Sequence, residues 1–242
     1  MLEDFSYDSY KELVDVLRSK NLNLCFEDFP LDYECENYFI LRHDVDFSCE
    51  DALRMAEFEA KLGIRASYFM LFSSPFYNLL SEEYCRVPLR LVEMGHGVGL
   101  HYDTSTLTIF GTDNLLGMFE VRVELLTKLT GKKVKAIAMH NPAIGGADPF
   151  KNSKEFVNAY DEQYTKRIDY FSDSAGVWKD EAIEALRPNN IPPRLQLLIH
   201  PFFWGESSKD RWTRLDDLKK KLTVNLSGLV GQIKEGWSVY SA

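Results

Sequence analysis

Five histidines occur in the chain, and four of them close a short apolar run. His43 comes just after Tyr38-Phe39-Ile40-Leu41, and His101 ends Gly97-Val98-Gly99-Leu100. His140 follows Ala136-Ile137-Ala138-Met139, and His200 follows Gln196-Leu197-Leu198-Ile199. Each run reads as a β-strand, and helical patterns separate them. A chain that repeats strand and helix in this way builds a parallel sheet with helical crossovers. The C-terminal ends of its strands then share one rim, which is where such folds keep their chemistry. The candidates are a closed or nearly closed β/α barrel and a doubly wound open sheet. Strand order is not readable from the spacing. With no repeat, low-complexity run or linker, residues 1–242 read as one domain.

The elements follow from local signals. Ser9 and Glu12 make a capping box for a helix over 9–20. Asn21 to Asn37 is irregular. Residues 38–46 form the first strong strand, and 49–62 a helix that Gly63 closes. Arg65 to Phe72 is a second strand. Ser81 caps a helix to Met94, ended by Gly95, before the short strand of HGVGLHYD. Residues 113–130 form the clearest helix, with Leu116, Phe119, Val123 and Leu126 on its stripe. Val134 to Met139 is a strand, and the glycine-rich loop Ala143–Asp148 follows. A weak helix is expected over 152–160, a strand near Ile168–Phe171, a short helix over 180–186 and a strand over Leu195–Ile199. The last helix runs from about 211 to 234 with Leu215, Leu218, Leu222 and Leu226 in its stripe.

Composition removes several functions. The net charge is −9, which argues against nucleic acid or an anionic membrane as main partner. Cys25, Cys35, Cys49 and Cys85 have no CxxC spacing, so they read as plain thiols in a reducing compartment. No apolar run reaches the roughly 20 residues of a membrane span. The acidic start MLEDFSYDSY has no leader pattern, so a cytoplasmic protein is expected. GHGVGL lacks the GxGxxG spacing of a dinucleotide site, and Ser174 is not in a GxSxG elbow.

What remains is a set of acids and imidazoles. Asp44 and Asp46 lie two residues apart at a strand end, so they share a face if the strand continues. Like charges that close shift each other's pKa unless a cation or proton intervenes. His101 with Asp103, then His140 and His200, supply donors at the other strand ends. Imidazole and carboxylate together suit Zn²⁺ or a similar divalent ion. Such an ion lowers the pKa of a bound water to about 7, a carboxylate can take the proton, and a histidine can protonate the leaving group. Amides and esters are hydrolysed this way.

The ordered blocks RHDVD, RASYFM, GHGVGLHYD, MHNP, FSDSAGVW and LIHPFFW, over roughly residues 38–204, resemble the polysaccharide deacetylase family (carbohydrate esterase family 4, the NodB-like homology domain). The resemblance implies a distorted, TIM-like β/α barrel of about seven strands, complete or incomplete. It implies a metal-dependent hydrolase that removes acetyl groups from amino sugars or related amides, and the cytoplasmic location expected from the N-terminus points to a precursor in surface polysaccharide (O-antigen) biosynthesis. Asp44 maps onto the catalytic base, Asp46 and His101 onto metal ligands, and His200 onto the general acid. The family's second metal histidine lies four residues after the first, and Ser105 stands there instead. His140 is the preferred replacement, with Asp103 as a ligand or an outer partner. Arg42, Tyr102, Asp173 and Trp204 are expected to face the substrate. Arg42 could equally pair with a neighbouring acid. Trp178 matches the family's pocket aromatic, and Phe202 and Phe203 could stack on a sugar or simply pack. The expected ion is Zn²⁺, with Ni, Co or Mn as alternatives. The expected substrate is a carbohydrate, or a nucleotide- or lipid-linked sugar. The other readings are an inactive carbohydrate-binding protein on this scaffold and a metal-dependent amidohydrolase of another small amide.

Overall fold

The computed structural model describes residues 4–31, 34–107 and 114–239. Among them are eight strands: β1 (Leu22–Leu24), β2 (Tyr38–Val45), β3 (Ser67–Leu71), β4 (Gly97–Tyr102), β5 (Ala136–Met139), β6 (Val157–Asn158), β7 (Asp169–Ser172) and β8 (Arg194–Ile199). The helices are α1 (Tyr7–Arg18), α2 (Cys49–Leu62), α3 (Val87–Glu93), α4 (Thr104–Leu107), α5 (Leu115–Thr130), α6 (Pro142–Gly145), α7 (Glu162–Thr165), α8 (Asp180–Ala185) and α9 (Arg211–Val239). Every strand pairing is parallel, in the order β6-β5-β4-β3-β2-β8-β7, with β1 beside the first half of β2.

The sheet curls into an incomplete barrel and is not an open doubly wound sheet. Gln196 on β8 donates to the carbonyls of Ala159 and Tyr164, residues that follow β6 at the far end of the strand order. Tyr38, Ile40, Phe69, Ala136, Ala138, Ala159 and Tyr164 fill the inside of the curl. Phe39, Leu41, Val45, Tyr68, Met70, Leu100, Ile137, Leu197 and Ile199 face the helices. Side chains alternate along a strand, so each strand contributes to both cores. No pairing closes β6 onto β7 among the described residues.

Local differences from the sequence reading have local causes. Helix α1 starts earlier than expected because Ser6, not Ser9, is its cap: the Ser9 amide donates to Ser6 Oγ at 3.1 Å. Only Val87–Glu93 of the expected 81–94 helix forms, with Pro88 in its first turn, where a missing N–H costs nothing. The helix expected over 152–160 is absent. Ser153 Oγ accepts from the amides of Glu155 and Phe156, both at 3.2 Å, and Asn158 Nδ2 donates to Asp148 Oδ2 at 2.8 Å. Such side-chain bonds to nearby groups compete with the helical ladder, and the chain instead forms β6. The start of the expected 113–130 helix, Asp113, lies outside the described residues; the helix is found from Leu115. Leu116 and Leu226 leave their stripes, at 56% and 63% exposed.

Candidate metal and hydrolytic site

Alternation decides which strand-end groups meet. On β2, Arg42 and Asp44 share the inner side with Tyr38 and Ile40, and Asp46 continues it past the strand end. The inner positions of β4, β5 and β8 lead to His101, His140 and His200. Asp44, Asp46, His101, His140 and His200 converge on the rim. His101 Nε2 lies 3.5 Å from Asp44 Oδ2 and 3.3 Å from Asp46 Oδ1. His140 Nδ1 lies 3.1 Å from His101 Nε2 and 3.4 Å from Asp46 Oδ1. His200 Nε2 stands 3.8 Å from Asp46 Oδ2.

The trio Asp46, His101 and His140 fits a divalent cation. Four ligands at about 2.1 Å in tetrahedral array stand about 3.4 Å from one another, which is the spacing seen here. Asp46 Oδ1 is buried and accepts no hydrogen bond, a costly state for a carboxylate oxygen unless a cation or proton meets it. The trio offers three ligand atoms without Ser105. Ser105 and Asp103 do not join: the Ser105 amide and hydroxyl both donate to Asp103 Oδ1, at 2.9 and 2.7 Å.

Electrostatics separate the two acids. Burial opposes ionisation of Asp46, but His101 and His140 outweigh it and hold the carboxyl far below its usual value. Burial also opposes ionisation of Asp44, and there Arg42 prevails. Arg42 Nε and Nη2 grip both Asp44 oxygens at 2.8 and 2.7 Å. The guanidinium is fully buried, 4.3 Å from the centre of the Tyr160 ring and 5.5 Å from that of Phe69. Arg42 is thus turned to Asp44, not to the rim.

His200 has the opposite polarity. Burial disfavours its charge, but Asp173, followed by Asp46 and Asp44, pushes it up to about 9. Asp173 Oδ1 lies 2.7 Å from His200 Nδ1, and its carboxylate also accepts from the His200 amide and from Trp204 Nε1 at 2.9 Å. Asp173 and Trp204 are themselves buried, so Asp173 holds His200 from behind and Trp204 holds Asp173. Phe202 and Phe203 are buried too, with Phe202 stacked on Phe47. Tyr102 is on the outer side of β4: it packs on Phe119 and Phe150, and its hydroxyl donates to Asp148. Of the four residues expected to face a substrate, all four lie in packed surroundings. Trp178 is half-buried, its ring 6.4 Å from Trp204.

His43 does not join the rim. It points outward, and Glu59 on α2 takes its Nε2 at 2.7 Å. Tyr10 and Tyr68 also donate to Glu59, and all four side chains are buried. Burial would raise the Glu59 carboxyl, yet His43 beside it keeps it below its usual value. His96 is a satisfied core histidine, with Nε2 on the Ala56 carbonyl at 3.0 Å and Nδ1 accepting from the Ala66 amide at 3.2 Å. The sequence reading did not single out Glu59, whose only signal is an acid on the apolar side of a helix, or Asn141, between His140 and Pro142.

No protein-family model and no curated protein matches the chain. Solved structures do. The chain is similar to peptidoglycan deacetylase PdaC from Bacillus subtilis at 18% identity, over 78% of this chain and 85% of that one, with a TM-score of 0.49. It is similar to a family 4 acetyl xylan esterase from Clostridium thermocellum, in complex with a cobalt ion, at 14% identity, over 77% and 84%, with a TM-score of 0.45. A CE4 family pseudoenzyme from Bacillus anthracis matches at 17% identity, over 79% of this chain and 62% of that one, with a TM-score of 0.44. At these identities the likeness says nothing about activity.

Proposed function

We propose that the protein is a metal-dependent hydrolase that removes an acetyl group from an amino sugar or glycan. The observation that carries the reading is the Asp46, His101 and His140 trio, with Asp44 3.5 Å from His101 Nε2 and His200 3.8 Å from Asp46 Oδ2. When bound, a divalent cation supplies Lewis acidity, polarising a carbonyl oxygen and making water more acidic. Asp44, held ionised by Arg42 and 3.5 Å from His101 Nε2, accepts the proton of the attacking water. His200 keeps its proton through neutrality, since its pKa stands at about 9. Its Nε2 faces the cluster and donates to the leaving nitrogen or oxygen. Asp173 keeps that ring in place and favours the charged form.

Metal analysis and acetate release test this together. The purified chain should hold one equivalent of Zn²⁺, Co²⁺, Ni²⁺ or Mn²⁺ at neutral pH and release acetate from N-acetylated sugars. Asp46→Ala, His101→Ala and His140→Ala should each lose the metal, while His200→Gln keeps it and loses turnover. A chain that retains none of these ions overturns the reading. One observation favours a non-catalytic, sugar-binding alternative: Arg42 occupies both oxygens of Asp44. Stoichiometric metal without acetate release from any acetylated sugar or peptidoglycan fragment is its signature.

A further inference from the structure

For an imidazole, the partner of one nitrogen decides which nitrogen is free to bind. The backbone settles His101: its Nδ1 is 2.8 Å from the Ala138 carbonyl, so Nδ1 carries the proton and Nε2 is bare. His140 is presented the other way round. Its Nδ1 faces His101 Nε2 and Asp46 Oδ1, and the Asn141 amide nitrogen, Nδ2, stands 3.0 Å from its Nε2, so the arrangement in this structure is the one with the NH₂ turned to the ring. A carboxamide is a two-ended partner, with a donating NH₂ and an accepting oxygen. With the NH₂ toward Nε2, the ring proton sits on Nδ1, inside the trio, and donates to His101 Nε2. With the oxygen toward Nε2, the proton sits on Nε2 and Nδ1 is bare. A half turn of the Asn141 amide separates the two states.

The backbone gives a second, independent observation. Asn141 has φ 45° and ψ 59°, in the left-handed region, directly before Pro142. A residue before proline is pushed toward extended conformations, and non-glycine residues in sparse regions persist only where the surroundings hold them, often at functional sites. Glycine would adopt this turn freely; asparagine brings a side chain that glycine lacks. The turn is fixed on its other side by the His140 amide, which donates to the Tyr102 carbonyl at 2.7 Å.

We propose that Asn141 is a positioning residue that sets the tautomer of His140, and that cation binding by Asp46, His101 and His140 requires its amide oxygen to be turned to His140 Nε2. The inference rests on the metal-centre reading above. It makes the two histidines ligate through opposite nitrogens, Nε2 of His101 and Nδ1 of His140.

The test compares wild type with Asn141→Gly, which keeps the backbone turn without the amide, and Asn141→Asp, which offers only acceptors. Zn²⁺ affinity is read by competition with a chromophoric chelator, and the His140 tautomer by ¹⁵N imidazole shifts with and without Zn²⁺. Asn141→Gly should bind Zn²⁺ about 10- to 100-fold more weakly, the usual cost of losing an outer partner. Asn141→Asp should bind at least as tightly as wild type. Zinc-loaded wild type should show its proton on Nε2. Equal affinity for Asn141→Gly and wild type, with both folded by circular dichroism, overturns the proposal, as does a zinc-loaded His140 with its proton on Nδ1. A wild type that takes no Zn²⁺, Co²⁺, Ni²⁺ or Mn²⁺ instead overturns the metal-centre reading beneath it.

Discussion

Arg42 and Asp44 act as one unit, neighbours on a single strand face and both buried. Breaking one member of such a buried pair leaves an uncompensated charge and costs about 3–5 kcal/mol, whereas replacing both by apolar groups is often tolerated. Asp44→Asn should therefore lower stability by several kcal/mol in urea denaturation, besides removing the base. The double variant Arg42→Met with Asp44→Leu should be the more stable of the two. A single variant within 1 kcal/mol of wild type would show that the pair is not what holds β2 to the lumen. For activity assays this means that Asp44→Asn needs a folded control. At this scale the sequence was most informative: acids and imidazoles at strand ends named Asp44, Asp46, His101, His140 and His200, and all five meet. The side-chain alternation that puts Asp44 and Asp46 together also sends His43 outward to Glu59. What was not legible was who stands behind whom. The resemblance puts Arg42, Asp173 and Trp204 against the substrate, but Arg42 holds Asp44, Asp173 holds His200 and Trp204 holds Asp173.

Among elements, the long helix α9 is held to the body near Leu218 and by Lys221, which reaches Glu50 in the first turn of α2. Burial raises the Glu50 carboxyl, but Lys221 and then Tyr84 outweigh it and bring it to about 2, against 4.5 in the free group. A depressed carboxyl pKa stabilises the fold above about 4.5, and the contribution disappears as pH falls toward 2. Both partners are partly in water, so the contribution should be no more than about 1 kcal/mol. Lys221→Met should cost about that much at pH 7 and close to nothing at pH 2, read from urea midpoints at the two pH values. An equal cost at both would assign the effect to lost packing of the lysine stem. Longer elements were legible from period and caps, as in α2, where Ser48 caps the start and Gly63 the end. Short ones were not. β1 and β6 have three and two residues, too few to show a period, and the 152–160 segment is governed by the side chains of Ser153 and Asn158.

The whole molecule depends on an interior that is large on one side and small on the other. Strands β2 and β3 send Tyr38, Ile40 and Phe69 inward, with Phe26 and Tyr164 from the connections. Strands β4 and β5 answer with Gly97, Gly99, Ala136 and Ala138. The curl of the sheet was not in the strand pattern, because parallel barrels and open sheets share the same alternation of strand and helix. It is visible only in which inward residues complement one another. At Gly97 a Cβ would meet only the Glu27 side chain, whereas at Gly99 the fit closes against a packed ring and the backbone of the next strand. A Cβ there would stand 2.6 Å from the Phe69 ring and 2.8 Å from the Ala136 carbonyl oxygen, and the latter is backbone of the neighbouring strand. Phe69 has little room to give, since its ring also packs edge-on to Phe26 and under Arg42. Overpacking of this kind costs about 1–3 kcal/mol, and at this chain length each kcal/mol lowers Tm by about 2–4 °C. Gly99→Ala should thus melt several degrees below wild type. It should also weaken the grip on Asp44, because Phe69 lies against the Arg42 guanidinium. Gly117→Ala, on α5 with nothing within 4 Å of the new methyl, is the matched control and should melt at or above wild type. If Gly99→Ala melts with the control, the interior is looser than these contacts require, and the complementarity of large and small strands is not what curls the sheet.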